Sequence, residues 1–187
     1  MVRLPEPEVE RRIPRQQRAQ LSCAAIFDAA AALLQRDGIA GLSTNRIAEQ
    51  AGVSIGTLYQ YFPNKQAVLL AMGRRDLEET AAQLAAAADV DAVVACLVAR
   101  FPGRRGMRRV LLETVFHPLL HHQLAAALDA ACQGLAPVPE ATRYVLTRAL
   151  LGVLRAAVLE EAAPEPAALA RELRGLMART LAATAPG

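Results

Sequence analysis

All three histidines of the chain fall in one run, HPLLHH, as His117, His121 and His122. His117 and His121 are four apart, the spacing that on one helix face can clamp a metal ion, and Glu113 precedes them at the same interval. Pro118 works against that reading, because a proline there starts a new helix and breaks the register with Glu113. Polar lining of a pocket, or a helix N-cap, suits these histidines better, and no metal is expected. Nucleophilic catalysis would need a serine or cysteine motif beside His117 or His121, and none adjoins them in sequence. Cys23, Cys96 and Cys132 are odd in number and far apart, so they make neither a disulfide framework nor a zinc spacing. They read as small buried hydrophobes in a reducing compartment. The chain is therefore read as no enzyme, with no catalytic residue, metal or cofactor.

A different chemistry is concentrated in VSIGTLYQYFPNK, Val53 to Lys65. Three of the chain's seven aromatic residues, Tyr59, Tyr61 and Phe62, stand within four positions, and Gly56 falls where a short helix begins. Tyr59 and Tyr61 offer hydroxyls to phosphates, and Lys65 offers a point charge. Gln60 can reach a base edge, and Ile55 and Thr57 carry methyls suited to thymine. A glycine at position 56 costs about 1 kcal/mol of helix propensity but lets the helix start come close to a phosphate.

The elements that would present these groups follow from the spacing. From about Gln17 to Asp37, Cys23, Phe27, Ala30 and Leu34 line one helical face, and Gly38 supplies a left-handed stop. Ser43 or Thr44 caps a short second helix with Ile47, Ala48 and Ala51 inward and Asn45, Arg46, Glu49 and Gln50 outward. Gly52 makes a sharp turn, and Ser54 caps a third short helix closed by Pro63. Asn64 caps a fourth, running from about Lys65 to Ala88. With Ile47, Ala51, Val53, Leu58 and Tyr61 inward, residues 44–61 form a helix-turn-helix pattern. In that geometry the second motif helix can enter a DNA major groove.

Breakers divide the remainder into amphipathic segments at about 89–100, 104–116, 118–134, 139–162 and 166–183, with Pro118, Pro139 and Pro166 in first-turn positions. Nothing alternates as a strand would. The expected fold class is all-α, about nine helices in total: an N-terminal three-helix helix-turn-helix domain followed by a C-terminal helical bundle.

The residues of STNRIAEQAGVSIGTLYQYFPNK resemble the DNA-binding signature of the TetR/AcrR family of bacterial transcriptional regulators. The match runs through Ser43, Ile47–Ala48, Ala51–Gly52–Val53–Ser54, Gly56, Leu58–Tyr59, Tyr61–Phe62 and Lys65, and with the preceding helix spans residues 17–66. It implies phosphate contacts from Thr44, Tyr59, Tyr61 and Lys65, with Ser54 counted among them. It also implies that Asn45, Arg46, Ile55, Gly56, Thr57 and Gln60 lie at or near the bases. The stretch RRIPRQQR, in a flexible basic arm over residues 1–16, looks like the arms with which some members begin; a solvated tail is the alternative.

Residues 67–187 match the family only in pattern. There the resemblance implies a small-molecule pocket, whose lining by family-like position would include Phe101, Met107, Leu111, Phe116, His117, His121, Tyr144 and Thr147. The last two long segments carry more apolar area than one core consumes, which suggests a homodimer interface from Leu146, Leu150, Val153, Leu154, Leu173, Leu176 and Met177. The expected function is a cytoplasmic repressor that binds double-stranded DNA at a palindromic operator and is released by a small apolar effector. A helical ligand-binding or adaptor protein is the alternative. The net charge of +3 fits a nucleic-acid partner without demanding one. No apolar run is long enough to span a bilayer and no signal core opens the chain, so no membrane partner is expected.

Overall fold

The computed structural model describes residues 15–98, Arg109, 118–160 and 162–183. The described residues form eight helices: α1 (Arg15–Asp37), α2 (Thr44–Gln50), α3 (Ile55–Tyr61), α4 (Lys65–Ala85), α5 (Val90–Val98), α6 (Pro118–Leu135), α7 (Glu140–Leu159) and α8 (Pro166–Ala182). No strand occurs among them, so the fold is all-α. Residues 1–14 of the basic arm, the segment expected at 104–116 apart from Arg109, and Glu113, Phe101, Met107, Leu111, Phe116 and His117 lie outside the described residues, as does the side chain of His121.

Short polar side chains start four of the helices. Ser43 Oγ accepts from the Arg46 N–H at 3.3 Å, Ser54 Oγ from Thr57 at 3.0 Å, Asn64 Oδ1 from Ala67 at 2.9 Å, and Asp89 Oδ1 from Ala92 at 2.7 Å. Each satisfies one N–H that a helix start would otherwise leave unpaired. Of the two candidates at α2, the cap is therefore Ser43. α4 stops at Ala85 rather than continuing to Ala88, and Asp89 caps the helix that follows.

Two cores form. In the first, Ile26, Ala30 and Leu33 of α1 pack with Leu42, with Ile47 and Ala48 of α2, Leu58 of α3 and Phe62, and Val68, Leu69 and Met72 of α4. The second takes Leu84 from the end of α4, Val93, Val94 and Leu97 from α5, and Leu128 and Cys132 from α6. Leu146 and Leu150 of α7 and Leu173 and Met177 of α8 complete it. α4 thus belongs to both. The expected face of α1 is met at Ala30 and Leu34, which are buried, but its deep centre is shifted: Ile26 and Leu33 are enclosed, whereas Cys23 and Phe27 are only half-buried at the edge against α4. Ion pairs tie the outer helices, Arg143 on α7 to Asp129 on α6 at 2.8 Å and Arg174 on α8 to Asp91 on α5. All three cysteines are free thiols; burial, followed by the charge of Asp129, pushes that of Cys132 up to about 11.

Candidate nucleic-acid interface

Helices α2 and α3 are joined by a turn whose hydrogen bonds are those of a Schellman cap. The Val53 N–H reaches the Ala48 carbonyl at 3.0 Å and the Gly52 N–H reaches that of Glu49 at 3.2 Å. Gly52 takes φ +66°, a left-handed conformation that a Cβ disfavours. Beneath the turn Ala48 is buried, with Ile47 and Leu58 fully enclosed beside it, so the inner face of α3 packs against α2.

That leaves the outer face of α3 open. Ile55, Gly56 and Gln60 are exposed, and so is Tyr59, at 51% of its surface. A Cβ built on Gly56 would meet nothing nearer than Ser54 Oγ at 3.8 Å. The packing therefore does not require glycine there. The Ser54 and Thr57 hydroxyls, 2.7 Å apart, are engaged with one another and with the cap. Thr44, at the first position of α2, sits 3.2 Å from the Tyr59 hydroxyl, which brings these two expected phosphate contacts to one place. Asn45 is exposed on the outer side of α2.

Two expectations are corrected, and Lys65 has a partner within the fold. Tyr61 does not face inward: it is 37% exposed, and Phe62 is the ring that is buried, packing against Phe27 with centroids 5.6 Å apart. The cause is register, since α3 ends at Tyr61 and the extended backbone of Phe62 turns that side chain into the core. Arg46 is not a loose outward cation. Its guanidinium donates to the Gly41 carbonyl at 2.6 Å and to Asp37 Oδ2 at 2.5 Å, clamping the α1–α2 loop. Lys65 is half-buried and donates to the Leu42 carbonyl at 3.2 Å, so it fastens the start of α4 to the same loop. Hydrogen bonding from Arg36 and then from Arg46 holds the Asp37 carboxyl below the ordinary carboxylate range.

Sequence reasoning missed Asp37 and Gly41 altogether. A Cβ on Gly41 would come within 2.4 Å of the Asp37 Cβ, so the loop closes only over a bare backbone. The available signal was an acid just before the Gly38 stop and an arginine nine residues later, a spacing with no period of its own.

In the second half of the chain, Tyr144 is 60% exposed beneath the Arg148 guanidinium, 5.2 Å from its ring centre, and so is no lining of an internal pocket. Thr147 does point inward; its hydroxyl is buried and lacks a partner among the described residues. Leu146, Leu150, Leu173 and Met177 are buried in the chain's own second core and are not available to a partner. Leu154 and Leu176 are partly buried against that core, and Val153 is exposed. The error has a periodic cause. The buried arc of α7 takes Leu146, Leu150 and Leu151, and its exposed positions include the smaller residues Val145, Ala149, Gly152 and Val153 beside Tyr144 and Arg155.

Comparison with known proteins fits this geometry. Residues 26–72 match the family model described as bacterial regulatory proteins, tetR family. This is a TetR-family DNA-binding domain. Over 53 residues the chain is 40% identical to the HTH-type transcriptional repressor KstR of Rhodococcus jostii (strain RHA1), a match covering 28% of this chain and 25% of that protein. The chain thus spans about a quarter of the length of that relative. Among solved structures it is similar to Salmonella enterica GusR, at 22% identity and TM-score 0.66, over 86% of this chain and 95% of that one. The multidrug binding protein EbrR complexed with imidazole aligns at 21% identity and TM-score 0.61, over 85% and 94% of the two chains. FadR from Bacillus subtilis in complex with stearoyl-CoA aligns at 18% identity and TM-score 0.58, over 82% and 96%. At these identities the likeness beyond the TetR-type domain is one of fold. No described helix is long and apolar enough to cross a membrane.

Proposed function

We propose that this TetR-family protein is a ligand-responsive repressor that binds a palindromic operator as a homodimer and is released by a small apolar effector. The observation that carries the reading is the outer face of α3, where Ile55, Gly56, Tyr59 and Gln60 stand exposed and the glycine answers no need of the fold. In this reading residues 17–66 read DNA. Gly56 brings the start of α3 close to the duplex, Gln60 with Ile55 and Thr57 meets base edges, and Thr44 and Tyr59 share a phosphate. Ser54, Tyr61 and Lys65 flank that phosphate track, and Asn45 lies along it. Arg46 positions α2 through Asp37 and Gly41 instead of reaching the groove.

Residues 67–187 supply the rest. The exposed small face of α7 suits close packing against its copy about a two-fold axis, which would set two recognition helices one helical repeat apart, about 34–36 Å. EbrR and FadR, whose structures hold imidazole and stearoyl-CoA, support a small-molecule site in the bundle. The inward, unpartnered hydroxyl of Thr147 is the one described group there that asks for a polar partner. α4 links the two functions, because it packs in the DNA-binding core at Val68, Leu69 and Met72 and in the bundle at Leu84. An effector that binds better to a form with a different α4 setting lowers DNA affinity by that difference.

Gel shifts with the intergenic DNA upstream of the protein's own gene test this. Tight, salt-sensitive binding to a palindrome is expected. Gln60→Ala should relax preference at one base pair, whereas Tyr59→Phe should weaken all sequences alike. Indifference to every duplex would favour an adaptor that uses its helix-turn-helix for protein contacts.

A further inference from the structure

The third residue of α2 and the first of α4 take hold of neighbouring carbonyls in one loop. Arg46 Nη1 donates to the Gly41 carbonyl at 2.6 Å, and Lys65 Nζ to the Leu42 carbonyl at 3.2 Å. The Lys65 bond joins residues 23 apart in sequence and is partly buried. The Leu42 side chain is buried in the first core, so the carbonyl that Lys65 holds is fixed from below as well. Ser43 follows directly and caps α2, and Thr44 stands 3.2 Å from the Tyr59 hydroxyl. Only Ser43 therefore separates the residue that Lys65 grips from the Thr44–Tyr59 pair.

α4 is thus attached to each helix of the motif by a different route. Residues 62–64 join it covalently to α3, with the Phe62 ring buried in the core. Lys65 joins it to α2 through the loop. Apolar packing among the same helices is non-directional, whereas a hydrogen bond fixes a distance and an angle. A shift of α4 carried by the chain alone would move α3 and leave the start of α2 behind, opening the Thr44–Tyr59 pair. With the second attachment both helices follow together.

We propose that Lys65 is a positioning residue, setting the start of α2 against α3 through the Leu42 carbonyl. The consequence rests on the DNA reading: Thr44 and Tyr59 share one phosphate only while that setting holds. An ammonium carries more than one donor, so the Leu42 bond leaves others for a phosphate of its own. The two roles are separable, because only positioning acts through Thr44.

Hydrogen exchange on the DNA-free full chain reads the positioning directly. Lys65→Met should speed exchange at the Arg46 and Ile47 amides, in the first turn of α2, by roughly fivefold or more. The Leu58 amide, bonded to the Ser54 carbonyl in α3, should hold its rate. Lys65→Arg keeps a donor and should restore the wild-type rates. On the intergenic DNA upstream of the gene, Thr44→Ala should weaken binding about tenfold alone but less than about threefold beside Lys65→Met. Unchanged exchange at Arg46 and Ile47 would overturn the proposal, as would equal acceleration at Leu58 or full additivity of the two substitutions. If no duplex were bound at all, the DNA reading would fall, and the exchange rates would still decide the role of Lys65.

Discussion

Gly56 and Asp37 pull residue-scale reasoning in opposite directions. Gly56 is expensive for the helix and unnecessary for packing, so Gly56→Ala should stabilise the protein by about 1 kcal/mol, seen as a higher melting temperature. The same change should weaken operator binding by about tenfold, because the added methyl stands between α3 and the duplex. A variant that gained stability and kept its affinity would remove the reason for a glycine at this place. Asp37 makes no DNA contact in this account yet fixes the α1–α2 loop through Arg46. Its carboxyl lies below the ordinary value of 3.8 in the folded chain, with Arg36 the first cause. A depressed folded value gives a contribution that is complete above about pH 4 and is lost as pH falls through the lower folded value. Melting temperatures of the wild type and Asp37→Asn should therefore differ at pH 6, and the difference should shrink as pH falls below the ordinary value of 3.8.

Elements depend on single backbone positions as much as on side chains. Gly52 at φ +66° meets nothing within 4 Å at its Cβ position, so the cost of a side chain there is conformational, not steric crowding by neighbours. Gly52→Ala should destabilise by about 1–2 kcal/mol in chemical denaturation, and Gly52→Asn by less, since asparagine tolerates the left-handed region. The α2–α3 unit was legible in the chain because its signals are local: caps at Ser43 and Ser54, a glycine turn and an alanine where helices meet. The shifted centre of α1, with Ile26 rather than Phe27 enclosed, was not legible. Several faces of an alanine-rich helix look apolar, and only the position of α4 decides which is covered. Tyr61 and Phe62 were exchanged for a similar reason, one residue of helix length deciding which ring turned inward.

For the whole molecule the decisive separation is between core and free surface on α7. Leu150 is fully enclosed, and Leu150→Ala should cost about 2–5 kcal/mol in unfolding experiments. Val145 is 64% exposed, so Val145→Glu should leave the monomer's melting nearly unchanged while shifting sedimentation from dimer to monomer. If both variants unfolded the chain equally, the exposed face would not be a contact surface. Sequence alone was enough for an all-helical chain with a short DNA-reading unit near its start, because helical period, caps and turn glycines act over a few residues. Tertiary structure alone decided which leucines of α7 and α8 were already covered, that Arg46 and Lys65 fasten a loop, and that α4 joins both cores. Those outcomes depend on which surfaces meet across long stretches of chain, and a periodic pattern carries no record of that meeting.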